Sequence, residues 1–130
     1  MNRNESRVVI MTILYQIFIF DSKKIIYDID SVIKENVEIT NDFVNEVVHG
    51  VINNKDSIDE IANKYLQDWK INRLGFPDQA ILRMAIYEMK YTDTPGIVCI
   101  NEAVELSKIY SDDKVKNMIN GVLDNIYHDM

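Results

Sequence analysis

The chain has 130 residues, 47% apolar and 27% charged, with a formal net charge of −7. That length suits about one domain, able to bury a core without disulfides or metal, and the lone Cys99 excludes an internal disulfide framework and suits a reducing cytoplasm. Only four glycines and two prolines interrupt it, which favours helices joined by short loops over a many-turned β fold.

The first predicted element is a helix from about Glu5 to Phe20. Val8, Met11, Leu14, Tyr15 and Phe18 recur at three- and four-residue spacing, and Ile10, Ile13 and Ile17 form a second apolar face. A helix apolar on most sides is surrounded by others, so this one is expected to be the central post of the N-terminal half. Its apolar run is too short to cross a bilayer, which takes roughly 20 residues. No small-residue cleavage site follows, as a signal peptide would need. The same run carries more apolar surface than one small bundle hides easily, which raises the expectation of a homodimer.

Asp28–Asn36 is expected to be a shorter helix with Ile29, Val32 and Ile33 inward. Thr40 offers an N-cap to the next, whose stripe is Phe43, Val44, Val47, Val48, Val51 and Ile52. Ser57 and Glu60 fit a capping box, followed by Ile58, Ile61, Ala62, Tyr65 and Leu66 as an inner face. Gly75 breaks the chain, and Pro77 suits the first position of a new helix, where its missing N–H is not needed. Ile81, Met84, Ala85 and Met89 form that helix's buried stripe. Thr92–Gly96 reads as a loop, and a helix follows from about Val98 to Tyr110. Ser111 and Asp112 start the last, with Val115, Met118, Ile119, Val122, Leu123, Ile126 and Tyr127 on one stripe. The expected fold is therefore all-α, about seven helices in two packed helical subdomains. The seam falls near Asn54–Ser57, giving sub-bundles of roughly 1–55 and 56–130.

Charge is unevenly spread. Residues 1–20 sum to +1 and residues 64–130 to −2, while residues 21–63 hold ten acids against four bases. An acidic body with a mildly basic N-terminus is not a self-sufficient nucleic-acid binder. Arg3 and Arg7, four apart, lie on one side of the opening helix, where they could reach two neighbouring phosphates.

No catalytic pattern is present: no Gly-rich phosphate loop, nucleophile elbow or HExxH. Cys99 has no base beside it. His49 and His128 have no partner at metal-ligand spacing, so neither metal nor cofactor is expected. Asp112-Asp113 and Asp59-Glu60 sit at predicted helix N-termini, where negative charge complements the helix dipole. Two polar insertions within helices are more informative. Asn101-Glu102 lies where its helix packs, and Asn120-Gly121 lies inside the last helix. Glycine there costs about 1 kcal/mol relative to alanine, so a close helix–helix approach is expected to offset it. Arg83, inside the apolar run Ala80–Ile86, is expected to pair with Glu102 or Glu88 in a satisfied buried polar network.

These same residues carry a family resemblance. Ala80-Ile81-Leu82-Arg83-Met84-Ala85-Ile86-Tyr87-Glu88 resembles the ILRxAxYE signature of NusB proteins. Thr94-Pro95 follows, then Ile100-Asn101-Glu102-Ala103-Val104-Glu105-Leu106-Ser107-Lys108, similar to the family's INEAVELAK. Ile119-Asn120-Gly121-Val122-Leu123-Asp124 is similar to its VNGVLD. In the N-terminal half, Arg3, Arg7, Leu14 and Tyr15 resemble the family's Arg-rich start and its Ala-Leu-Tyr.

The resemblance implies a cytoplasmic, non-enzymatic transcription antitermination factor. It implies binding to boxA-type single-stranded RNA together with the ribosomal protein NusE, within a complex that includes other Nus factors and RNA polymerase. Arg3 and Arg7 would then contact RNA, with Lys114 and Met118 near it, and Tyr15 and Asp78 would face NusE. The chain departs from the family in having Asn4 and Glu5 between its arginines and Met118 where many members have Phe. Both changes remove features used in RNA binding, cations and a stacking ring. The methyltransferase to which such domains are sometimes fused has no counterpart here. The alternative is a helical protein–protein adaptor with little RNA binding of its own.

Overall fold

The computed structural model describes residues 1–130. It contains seven helices: α1 Arg3–Ser22, α2 Ile29–Asn36, α3 Asp42–Asn53, α4 Lys55–Tyr65, α5 Phe76–Tyr91, α6 Gly96–Tyr110 and α7 Asp113–His128, with a 3-10 turn at Ile71–Arg73 before α5. There are no strands. No helix is long and apolar enough to cross a membrane.

Local chemistry explains most boundaries. The Asn2 side chain accepts from the Glu5 N–H (2.8 Å), which starts α1 two residues before the expected Glu5. At its far end the Ile25 N–H bonds the Phe20 carbonyl and the Lys24 N–H the Asp21 carbonyl. This closes the helix in a Schellman arrangement, with Lys24 at φ 57° where glycine is usual. Asp28 caps α2, and Asp112 caps α7 through the Val115 N–H. Two expected caps are corrected. Asn41, not Thr40, caps α3 by accepting from the Val44 N–H, and its amide also donates to Ser6 on α1. The longer side chain one residue later thus caps one helix and ties it to another. Ser57 caps nothing, because the Ile58 N–H already bonds the Asn54 carbonyl and places Ser57 within α4. Asn54 ends α3 and begins α4 by itself. Pro77 is the second residue of α5 rather than the first.

α1 packs on both α2 and α3, as expected of the post of the N-terminal half, while the post of the whole fold is α5. It packs on α1, α3, α4, α6 and α7, and every residue from Gln79 to Met89 is buried. All seven helices contribute to one cluster of 33 buried apolar residues. Within it Ile10, Ile13, Leu14 and Ile17 are completely covered by the chain itself. Much of the apolar surface of α1 is thus used inside the fold, while Val8, Val9 and Phe20 are half-buried and Tyr15 is exposed. At the C-terminal end, the Tyr65 hydroxyl donates to Asp129 (2.6 Å) and ties α4 to the last turn of the chain.

The glycines also depart from expectation. A Cβ built on Gly121 meets nothing within 4 Å, and Asn120 and Gly121 are both exposed. The close approaches are elsewhere: a Cβ on Gly50 would overlap the Tyr87 ring, and one on Gly96 the Tyr127 ring.

Candidate functional site

One buried and one half-buried ion pair set the geometry from which the exposed groups project. Arg7 donates from Nε and Nη2 to both carboxylate oxygens of Glu88, at 2.9 and 2.8 Å. Both side chains are at most 4% exposed. Those hydrogen bonds hold the Arg7 guanidinium above its ordinary pKa, against the opposing effect of burial. Arg83 donates from Nε and Nη2 to Asp59, at 2.7 and 3.0 Å, and from Nη1 to Gln79 at 2.8 Å. Its guanidinium lies 4.6 Å from the centre of the Phe18 ring. Arg7 meeting Glu88, and Phe18 meeting Arg83, make α1 and α5 antiparallel. Tyr15 and Asp78 therefore lie toward the same end of that pair.

These contacts correct the expected polar network. Arg83 takes neither Glu88 nor Glu102 but Asp59 on α4. Residues 83 and 88 are five apart, about 140° around the helix, so they face different neighbours. Asn101 is exposed and Glu102 half-buried, and neither they nor Asn120 join a buried network. The polar core is two separate pairs, each joining α5 to a different helix.

Arg7 is also corrected as a free cation. Its donors are taken by Glu88 and, more weakly, by Asn4, so it fastens α1 to α5 instead of presenting charge to solvent. Arg3 is exposed. It lies 3.9 Å from the centre of the Phe43 ring and borders a polar cleft with Glu46, Tyr91 and Asp93.

A second group of predicted residues does come together. Asp78, Lys114 and Met118 line one cleft of about 460 Å³ between the start of α5 and the start of α7. The Ser111 hydroxyl donates to Asp78, and the Asp112 carboxylate is occupied as the cap of α7. Burial raises the Asp78 carboxyl pKa above 3.8, with help from the Asp112 charge, against hydrogen bonds from Ser111 and the backbone. A carboxyl easier to protonate in the folded than the unfolded state favours folding at acid pH. That advantage is lost as pH rises through its folded pKa. Asp78→Asn stays neutral and can still accept from Ser111. Its melting temperature is expected to gain on the wild type as pH rises from about 3 to 7, and a constant or shrinking gap would contradict the assignment.

Sequence reasoning missed two residues of this cleft, Trp69 and Arg73. The available signal was the chain's only tryptophan standing in the polar run Gln67-Asp68-Trp69-Lys70, where no helical stripe claims it. Cys99 is 1% exposed, and burial pushes its thiol up to about 12, far from a reactive thiolate at neutral pH. No group of three or more His, Cys, Asp or Glu side chains is placed to hold a metal ion.

The arrangement is shared with solved structures. A structure of T. maritima NusB matches 98% of this chain and 92% of its own, with a TM-score of 0.84 and 28% identity. A NusB from a crystal structure of antitermination factors NusB and NusE in complex with dsRNA matches at TM-score 0.81 and 28% identity, over 98% of this chain and 97% of its own. The fold is thus that of the NusB antitermination factors. The sequence agrees: the transcription antitermination protein NusB of Staphylococcus aureus (strain JH9) is 45% identical over 127 residues, covering 97% of this chain and 98% of that protein. With the NusB family model matching residues 4–128, the chain belongs to the NusB family.

Proposed function

We propose that the chain binds boxA-type single-stranded RNA jointly with NusE, in a cytoplasmic assembly with other Nus factors and RNA polymerase. The observation that carries this reading is the match, over nearly the whole of both chains, to a NusB solved with NusE and dsRNA. The charge distribution supports sharing. The chain is acidic overall, and Arg7 and Arg83 are committed to internal pairs. The cations left for phosphate, among them Arg3 and Lys114, sit on a chain whose net charge of −7 opposes an RNA backbone, so a cationic partner is expected to complete the contact. Tyr15, 37% exposed, and Asp78 are the side chains proposed to face NusE.

Titrating labelled boxA RNA tests this. The lone protein is expected to bind weakly with a shallow salt slope, because few phosphates are neutralised. Addition of NusE is expected to tighten binding by about tenfold or more, the worth of one or two further charge contacts. Equal affinity with and without NusE would sink the reading. Reversing Arg3 and Lys114 to glutamate should weaken the complex, and no loss would favour the protein–protein adaptor. Arg7 is unsuitable for that test, because a glutamate there would face Glu88 in the core.

A further inference from the structure

We propose that Trp69 is the stacking platform for an unpaired RNA base, with Lys70, Arg73 and Lys114 holding the flanking phosphates. The inference rests on the RNA-binding reading above and names the surface that carries it out.

Trp69 is 51% exposed, unusual for so large a ring in a chain with a well-filled core. It makes no aromatic pair and no cation–π contact within the protein. Two adjoining concavities share it together with Asp68 and Arg73, one extending to Lys70 and the other to Lys114 and Met118. None of those three cations forms a salt bridge. Of the nearby carboxylates, Asp112 is used as a helix cap and Asp78 is engaged by Ser111, while Asp68 beside the ring forms no salt bridge and is outnumbered by the three cations. An aromatic face beside uncommitted cations is the pairing by which single-stranded nucleic acid is held: base on ring, phosphate on charge.

The segment is also braced. Leu66 and Ile71 are buried on either side of Trp69. The Ile71 N–H donates to Asn63 (2.8 Å), and the Leu74 carbonyl accepts from Gln79 (2.8 Å). Asp68 takes a left-handed backbone at φ 65°, sparsely populated outside glycine and asparagine or aspartate. The ring is thus held outward by a fixed turn, at little ordering cost on binding. Met118 lies in the same cleft, and Trp69 supplies the cleft's only aromatic face.

Because Trp69 is the only tryptophan, its fluorescence reports on the site directly. Titrating the protein at low salt with boxA RNA should quench it saturably, while a duplex RNA of the same sequence should not. In the presence of NusE, with the Trp69→Phe complex as the optical blank, the quench should appear at the lower RNA concentration set by the partner. Trp69→Ala should weaken RNA binding by the pair about tenfold or more, and Trp69→Phe should retain most of it. Arg73→Gln should lower the salt slope by about one. Thermal melts of each variant separate these effects from loss of fold. If RNA binds the pair tightly but the fluorescence and the Trp69→Ala affinity do not change, the platform is wrong while the RNA-binding reading survives. If NusE alone quenches Trp69 and RNA adds nothing, the surface is a protein contact and the proposal is overturned. If the wild-type pair binds no RNA, the functional reading fails and this inference with it.

Discussion

Replacing Arg7 with methionine is expected to destabilise the protein by about 3–5 kcal/mol, the cost of leaving one partner of a buried ion pair alone. The geometry argues for the upper part of that range. Glu88 is 2% exposed at its side chain, and both of its oxygens are bonded to Arg7. Its carboxylate would then be buried without its counter-charge. Methionine keeps most of the volume, so the loss comes from electrostatics rather than from a cavity. The double variant Arg7→Met with Glu88→Leu should recover much of the loss, since neither charge remains to be satisfied. Denaturant titration checks this: the midpoint should fall in the single variant and return in the double, with the slope unchanged. A single-variant loss below about 1 kcal/mol, as for a surface pair, would show that the pair is hydrated in solution. The result bears on function too, because a failing Arg7 variant is easily mistaken for one that has lost an RNA contact.

The second large effect is at Gly50, and it should be opposite in sign to that at Gly121. Gly50 lies within α3, where the Tyr87 ring of α5 packs directly over its backbone. Tyr87 is 7% exposed and stacked on Tyr91 with ring centres 5.3 Å apart. It has little room to withdraw. Gly50→Ala is expected to cost about 1–3 kcal/mol, the usual penalty of overpacking, against the gain alanine otherwise brings to a helix. At Gly121 no neighbour opposes a methyl group, and Gly121→Ala should stabilise by about 1 kcal/mol. Thermal melts of both variants decide the matter. Stabilisation by Gly50→Ala would mean that Tyr87 moves freely, and destabilisation by Gly121→Ala would point to a contact made only with a partner.

The helices were legible because periodicity and capping are local. The stripe of α7 and the cap at Asp112 are read from neighbours in the chain; the structure reproduces the cap and buries the stripe from Ile119 to Ile126, leaving Val115 and Met118 half-buried and Tyr127 exposed. The cap errors at Thr40 and Ser57 arose among nearby polar residues, where the choice depends on which side chain also finds a second partner, across the fold or in the preceding helix. Asn41 finds Ser6, and Asn54 is drawn back to the Gly50 carbonyl. The candidate site was legible in part. Asp78, Lys114 and Met118 were named by resemblance and do share a cleft. Arg3 and Arg7 were paired by their spacing of four, yet one lies on Phe43 in solvent and the other in the core.

The all-α class, the number of helices, most of their apolar stripes and the family are thus legible along the chain, because each is written in residues a few positions apart or in motifs read in order. Packing settled which buried charge meets which. Arg7 and Glu88 are 81 residues apart, and Arg83 and Asp59 24 apart, and composition offers several acids for each arginine. It also decided which glycine is pressed against a neighbour and that Trp69 stands outside the core beside unpaired cations. Those outcomes depend on which faces of α1, α4 and α5 meet, and no window along the chain contains that information.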